Sequence, residues 1–326
     1  MNLADERFLI TGATGFVGSC LARRLVELGG EVHVLVRSEA DRWRLAGIEE
    51  KLHFHTGDLR DAERLREIVR AVAPGIIYHL AVHGAYPDET DADRIILTDV
   101  VGTWNLLKAS AEVDYKLLVN TGSSSEYGVK SHAMRETDAL EPRSYYAVAK
   151  CAQTLVCGHR AMAEHRPVNT LRLFSVYGPY EEPSRFVPTV IERCLAGRQL
   201  DTVPPETARD FVYIDDVVDA CLKIDELRLQ YGEVFNIGSG VQSAVGDVVR
   251  AAMEQTGSSA KVNWGSMPGR AWDTDIWLAD CSKARRLLKW TASTSLAAGI
   301  AKTIAWRRSR ESWKPQSYAS HAVRDL

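Results

Sequence analysis

The sequence predicts an α/β fold: a doubly wound parallel sheet followed by a smaller, interleaved C-terminal domain. Three observations carry that expectation. Short apolar runs, read as buried parallel strands, alternate with helical periodicity through the first 174 residues. A glycine-rich turn sits between the first of these strands and the first helix. Beyond residue 174 the alternation loosens, and Pro179, Pro183, Pro188, Pro204 and Pro205 punctuate loops.

The elements follow in order. Arg7–Thr11 reads as a buried strand feeding Gly12-Ala13-Thr14-Gly15-Phe16-Val17-Gly18. Val17, Leu21, Leu25 and Leu28 then recur at the period of a helix packed on a sheet, until Gly29-Gly30 stops it. Glu31–Val36 is the second strand, and the whole unit spans roughly the 30 residues of a mononucleotide-binding motif. Gly12 permits the tight turn. Gly15 lets a pyrophosphate approach the backbone at the helix N-terminus, and Gly18 lets helix and strand pack closely. A glycine turn without a ligand is the alternative; the position between strand and helix favours the phosphate. Leu52–Thr56 reads as a third strand, Leu80-Ala81-Val82 closes a fourth, a fifth precedes Thr121, and Leu171–Phe174 is the sixth.

Composition narrows the function classes. Apolar residues are 45% and charged residues 25% of the 326, ordinary for a globular protein. A net charge of −3 gives no general attraction to nucleic acid or anionic membrane, and neither is expected as a partner. The six cysteines show no Cys-x-x-Cys spacing, so a reduced cytoplasm is the expected home. The nine histidines are scattered along the chain, and no metal site is expected. Nothing at the start reads as a signal peptide, and no apolar run is long enough to cross a bilayer.

Chemistry concentrates in Ser144-Tyr145-Tyr146-Ala147-Val148-Ala149-Lys150. Tyr146 and Lys150, four apart on a helix, share a face. A cation beside a phenol stabilises the phenolate and lowers its pKa, which suits proton exchange with a carbonyl or alcohol while a hydride moves at the carbon. A helix with one buried Tyr and one solvated Lys would show the same spacing.

The Gly-x-x-Gly-x-x-Gly spacing and Tyr-x-x-x-Lys together resemble the extended short-chain dehydrogenase/reductase family, the NAD-dependent epimerase/dehydratase group, whose members mostly act on nucleotide-activated sugars. The resemblance covers most of the chain and implies a Rossmann-type sheet, residues 1–174, with 210–230 returning to it, and a substrate domain, mainly 175–326, ending in a polar tail. It implies a dinucleotide held by Gly12, Thr14, Gly15, Phe16, Val17 and Gly18, with Asp58-Leu59 at the adenine and Leu80, Ala81 and Val82 lining the cofactor. Asn105 in Gly102–Leu107 is expected to support the active site. Ser123, in Thr121–Gly128, completes a catalytic set with Tyr146 and Lys150, the last two also touching the cofactor. Arg209–Val217 matches a further signature and is expected to return to the main sheet. Helices at roughly 91–111 and 144–165 are the pair such enzymes use to form a homodimer, although their apolar faces could equally be core.

The resemblance also bears on cofactor and reaction. Members choosing NAD usually carry an acid at the end of the second strand, to bind the ribose 2′-hydroxyl. Here stands Val36, followed by Arg37, as in a branch that holds NADP; Arg37 would pair with a 2′-phosphate, or else face solvent. NADP(H) is the expectation, with NAD(H) the alternative. Dehydratases of the family carry a Glu two places before Tyr127, where this chain has Ser125; Glu126 comes one place late. The motifs look most like nucleotide-4-keto-6-deoxyhexose 4-reductases, such as GDP-6-deoxy-4-keto-mannose reductase and CDP-abequose or paratose synthase. The expected substrate is thus a nucleotide-diphosphate sugar linked to GDP, CDP, dTDP or UDP.

Arg209 and Arg270 lie in segments that grip the diphosphate in relatives, or are ion-pair partners of Asp210 and Asp273. Ser175 stands where relatives carry Asn, and Arg185-Phe186 matches the loop near the base. His83 and Tyr86 are sugar contacts or packing residues, and Ser124 and Ser125 flank the catalytic serine. A 4-epimerase with tightly held NAD is the alternative activity, ahead of a 4,6-dehydratase. A non-catalytic dinucleotide sensor would have no need of the intact Ser/Tyr/Lys set.

Overall fold

The computed structural model describes residues 3–85, 90–267 and 276–310. Arg7–Thr11 (β1), Glu31–Val36 (β2), Leu52–Thr56 (β3), Ile76–His79 (β4), Leu117–Ser123 (β5) and Val168–Leu173 (β6) join Val234–Ile237 in one seven-stranded sheet. From one edge it runs Val234–Ile237, β6, β5, β4, β1, β2, β3, and every pairing is parallel. The order reverses between β1 and β4. In doubly wound sheets that reversal opens a crevice at the carboxyl ends of the strands, where ligands bind.

Helices Phe16–Glu27 (α1), Ala62–Val72 (α2), Ala92–Ile95 (α3), Gly102–Ser110 (α4) and Tyr145–Glu164 (α5) cover the sheet. Because strand side chains alternate, Phe8 and Ile10 face a core with Leu21 and Leu25 of α1, while Leu9 faces another with Leu65 and Val69 of α2. Both faces are dry, which is why the strands read as continuous apolar runs. Each fully buried Leu contributes about 1.5–3 kcal/mol by transfer. The expected helix at 91–111 is α3, a π-helical turn at Ile96–Val101, and then α4.

The Phe211–Val217 stretch does not join the main sheet. Phe211–Tyr213 pairs instead with Ser175–Tyr177 (β7) in a separate two-stranded ribbon. The edge of β6 is already taken by Val234–Ile237, in register from Thr170 to Leu173. Phe186–Leu195 (α6) and Ile214–Cys221 (α7) follow β7, and α7 packs against α1. Among the described residues no helix is long and apolar enough to cross a membrane.

Candidate active site

The glycine turn is built by exclusion. Gly12 has φ +75°, and a Cβ there would lie 2.5 Å from the Ala81 nitrogen. A Cβ on Gly18 would collide with the Gly12 carbonyl oxygen. At Gly15 the same atom would meet only that carbonyl, at 3.3 Å, so the third side of the turn is open. Gly15 is also the N-cap of α1 and offers no capping side chain, leaving the helix N-terminus to an outside acceptor. Thr14, Phe16 and Val17 border this opening at intermediate exposure, and Leu80, Ala81 and Val82 follow the end of β4 beside it.

Ser123 ends β5 and Tyr146 lies in the first turn of α5, whose N-cap Ser144 accepts from the Ala147 N–H at 3.1 Å. The Tyr146 phenol lies beside Ser123, whose side chain lowers its pKa. Ser123 Oγ also lies 2.8 Å from Ser125 Oγ. One helical turn on, Lys150 is buried; its Nζ donates to the Thr121 carbonyl at 2.8 Å and to Gln153 Oε1 at 2.9 Å. The three residues singled out in the sequence therefore converge.

Their electrostatics differ from expectation. Burial pushes the Tyr146 phenol up to about 12, the Ser123 side chain pulls it down, and the Asp99 carboxylate pushes it up again. Burial also lowers Lys150, while Asp99 and Glu126 hold it up.

Beneath the lysine runs a buried chain of side chains. Gln153 Nε2 donates to Thr103 Oγ1 at 2.8 Å, and Thr103 donates to the Asp99 carbonyl. His79 Nε2 lies 2.8 Å from the same Thr103 oxygen, and His79 Nδ1 lies 2.7 Å from Thr11 Oγ1. Thr103 gives its proton to a carbonyl, so His79 must donate from Nε2 and accept at Nδ1. Burial keeps His79 neutral, lowered to about 3. The strand that feeds the glycine turn is thus wired to the lysine.

Asp99, in the π-helical turn, accepts from the His83 N–H at 2.8 Å. Asn105 does not reach these residues: it donates to the Leu59 carbonyl at 3.0 Å and so fixes the loop after β3. There Asp58 is held by Arg60, at 2.7 and 3.0 Å. Arg37 is about half exposed, 3.9 Å from Glu39.

Glu126 answers the question of a second acid. It is fully buried, accepts from the Ser123 N–H at 2.7 Å and pairs with Arg172 Nη2 at 2.7 Å. It braces the serine from behind and does not face the cleft.

The other half contributes loops. Arg185 caps α6 and donates to the Ala85 carbonyl at 2.8 Å, beside His83; Phe186 packs near Phe211. The Ser175 N–H donates to the Asp210 carbonyl at 3.0 Å. Asp210 accepts from Ser239, Gly240 and Ala279, so its carboxylate ties loops together. Arg209 lies over the Trp277 ring, whose indole N–H donates to Ser124 Oγ at 3.2 Å. Ser124 is buried in that wall. Tyr86 and Arg270 lie outside the described residues.

Asp99, Gln153, His79 and Trp277 are the residues near the site that motif reading missed. The one signal in the sequence was Asp99 standing alone among the apolar residues of 95–101.

The chain is 30% identical to the UDP-glucose 4-epimerase of Mycolicibacterium smegmatis, over 93% of this chain and 99% of that one. It superposes on the UDP-glucose 4-epimerase of Thermotoga maritima, solved with UDP-glucose, with TM-score 0.85 at 27% identity, covering 93% and 99%. It matches the dTDP-glucose 4,6-dehydratase DesIV of Streptomyces venezuelae, solved with NAD, with TM-score 0.84 at 27% identity, covering 94% and 98%. These relatives are epimerases and a dehydratase; the narrower likeness to 4-ketoreductases is not carried by them. The model of the NAD dependent epimerase/dehydratase family matches residues 8–238, which include the glycine turn, Ser123, Tyr146 and Lys150, and the chain belongs to that family.

Proposed function

We propose that this protein carries out oxidation and reduction at C4 of a nucleotide-diphosphate sugar, in the first instance as a 4-epimerase. The observation that carries the reading is the pairing of an intact Ser123/Tyr146/Lys150 set with a Glu126 locked against Arg172. A hydroxyl-to-ketone exchange needs one proton acceptor, and Tyr146 with Ser123 supplies it. Elimination across C5 and C6 needs a further acid/base, and the one nearby carboxylate before Tyr127 is turned away. Likeness over nearly the full chain to 4-epimerases supports the choice.

The open side of Gly15 fits a pyrophosphate, with Gly12, Thr14, Phe16, Val17 and Gly18 around it. Asp58 and Leu59 would hold the adenosine end; Leu80, Ala81, Val82, Tyr146 and Lys150 the nicotinamide end. A nicotinamide dinucleotide in that cleft supplies the capacity to take and return a hydride. Lys150 has three N–H donors, two already directed at Thr121 and Gln153, so the third is the one left for a ribose hydroxyl. Ser123 orients the sugar oxygen, and Tyr146 holds or releases its proton. His83, Ser175, Arg185, Phe186 and Arg209 stand at the sugar-nucleotide side.

Reduction of a 4-keto-6-deoxy sugar by NADPH is the second reading, favoured by one observation. Arg37 stands after β2, about half exposed and held only loosely by Glu39 at 3.9 Å, where a 2′-phosphate could take it as a partner. Arg37→Asp would then weaken NADPH far more than NADH; equal losses exclude the 2′-phosphate role.

The test is direct. Purified protein is denatured and the released nucleotide identified, then fresh enzyme is incubated with UDP-glucose, UDP-glucuronate, dTDP-glucose and GDP-mannose, and with 4-keto-6-deoxy sugars plus NADPH. Co-purifying NAD and interconversion of C4 epimers support the epimerase. An empty site with NADPH consumption moves the assignment to the reductase, and a 4-keto product from a hexose overturns both.

A homodimer belongs to the same proposal. Leu97, Val101 and Trp104 on one helical stretch and Val148, Leu155 and Met162 on α5 are exposed apolar residues. Leu155→Glu combined with Met162→Glu should convert a dimer to a monomer in light scattering.

A further inference from the structure

We propose a divalent-metal site at the outer edge of the sheet, formed by Glu31, His33 and His53 and suited to a first-row transition ion such as Zn²⁺. β2 and β3 are in parallel register with His33 directly beside His53. Side chains two apart share a face, so Glu31 and His33 on β2 face the same way as His53 and His55 on the edge strand. Glu31, His33 and His53 each bring a ligand atom within 4.8 Å of the others. His33 Nε2 is already 2.9 Å from Glu31 Oε1, and the His33 and His53 rings stack at 4.6 Å.

Two imidazoles and a carboxylate form a donor set that zinc accepts, with the fourth position left to water. Metal-binding histidines usually fix their other nitrogen with a hydrogen bond, which sets the tautomer. That partner is present: His33 Nδ1 lies 2.9 Å from His55 Nε2. Without an ion His33 Nε2–H donates to the Glu31 carboxylate; an ion would displace that proton, and the tautomer with Nδ1–H donated to His55 would present the Nε2 lone pair to it. Glu31 and His53 are exposed and give access from solvent, whereas His33 is buried.

The charges around the cluster are mixed. Arg7 acts on His33 and Arg64 on His55 as cations, and Glu31 supplies the opposing charge. Ligand spacing along the sequence does not show this cluster, because its ligands come from two strands in register. The site lies at the start of β2, and Arg37 follows its other end, so an ion would pin the edge strand without touching the cleft. The inference is independent of the reaction assigned above.

The test uses tag-free, chelator-treated full chain titrated calorimetrically with ZnCl₂, and with CoCl₂ watched for tetrahedral absorption bands. The expected result is one saturable site per chain at about pH 7.5, weakened at least ~tenfold at about pH 5.5 as the imidazoles protonate. His53→Ala and Glu31→Ala, both at exposed positions, should each weaken it by at least ~tenfold with melting temperature in chelator unchanged, and His55→Phe by about 10–100-fold. Absence of saturation by about 1 mM, or binding that survives His53→Ala unchanged, overturns the proposal.

Discussion

Gln153 accepts a hydrogen bond from Lys150 at 2.9 Å while its amide nitrogen donates to Thr103 at 2.8 Å. A flipped amide would set NH₂ against ammonium, so the orientation is forced, and the lysine is aimed by a residue that has no motif of its own.

Gln153→Leu should therefore uncouple the lysine without altering the Tyr/Lys motif. Loss of a hydrogen bond to a charged group costs about 1.5–3 kcal/mol. We expect cofactor affinity to fall at least ~tenfold, read by fluorescence titration of the dinucleotide. Gln153→Glu keeps the acceptor and should restore much of that affinity.

Tyr146→Phe should lower turnover by about 10²–10⁴-fold while leaving cofactor affinity within about twofold, since the ring stays and only the proton carrier goes. Initial rates and a binding titration on the same preparation separate the two effects.

The pH profile should respond to Asp99. Its carboxylate raises Tyr146 by opposing the phenolate. Neutralising it in Asp99→Asn stabilises the phenolate, so the ascending limb of kcat/KM for alcohol oxidation, along which Tyr146 becomes the base, moves to lower pH. A limb that stays in place would mean that Tyr146 is not the titrating group.

Glu126→Gln should act on stability more than on chemistry. It leaves the Arg172 guanidinium buried without its carboxylate, a loss of roughly 3–5 kcal/mol that chemical denaturation would reveal. If the variant instead stays stable and loses turnover, Glu126 is an acid/base after all.

Two alanines separate the glycines. Gly18→Ala drives a methyl into the Gly12 carbonyl and should unfold or disorder the turn. Gly15→Ala meets only a 3.3 Å contact and should fold, with weakened dinucleotide binding. Thermal melts with and without NAD distinguish the outcomes.

The glycine turn was legible in the sequence because each of its glycines answers a local steric demand, and Tyr146 and Lys150 because helical spacing is local too. Asp99 and Gln153 were not. An Asp or Gln in a helix ordinarily reads as a solvated face, and only the π-helical turn and the packing of α4 on α5 bury them. Glu126 shows the same limit at a turn, where one residue's shift points a carboxylate to the core. The motif at Phe211–Val217 was visible, but which strand it pairs with depends on Val234–Ile237, far along the chain.

That late strand has a consequence for how the protein can be cut and rebuilt. The sheet is closed only after the chain has made the ribbon of β7 with Phe211–Tyr213, α6 and the loops around them. Residues 178–209 form an excursion whose ends meet in the ribbon of β7 with Phe211–Tyr213, and within it α6 and Leu200–Asp201 pack on residues 245–263. A fragment ending near residue 175 would expose the hydrogen-bonding edge of β6 and invite aggregation. Exchanging the loops between Gly178 and Arg209, by contrast, leaves every strand of the seven in place. New sugar specificities should accordingly be sought by replacing that segment whole, with both anchor points retained.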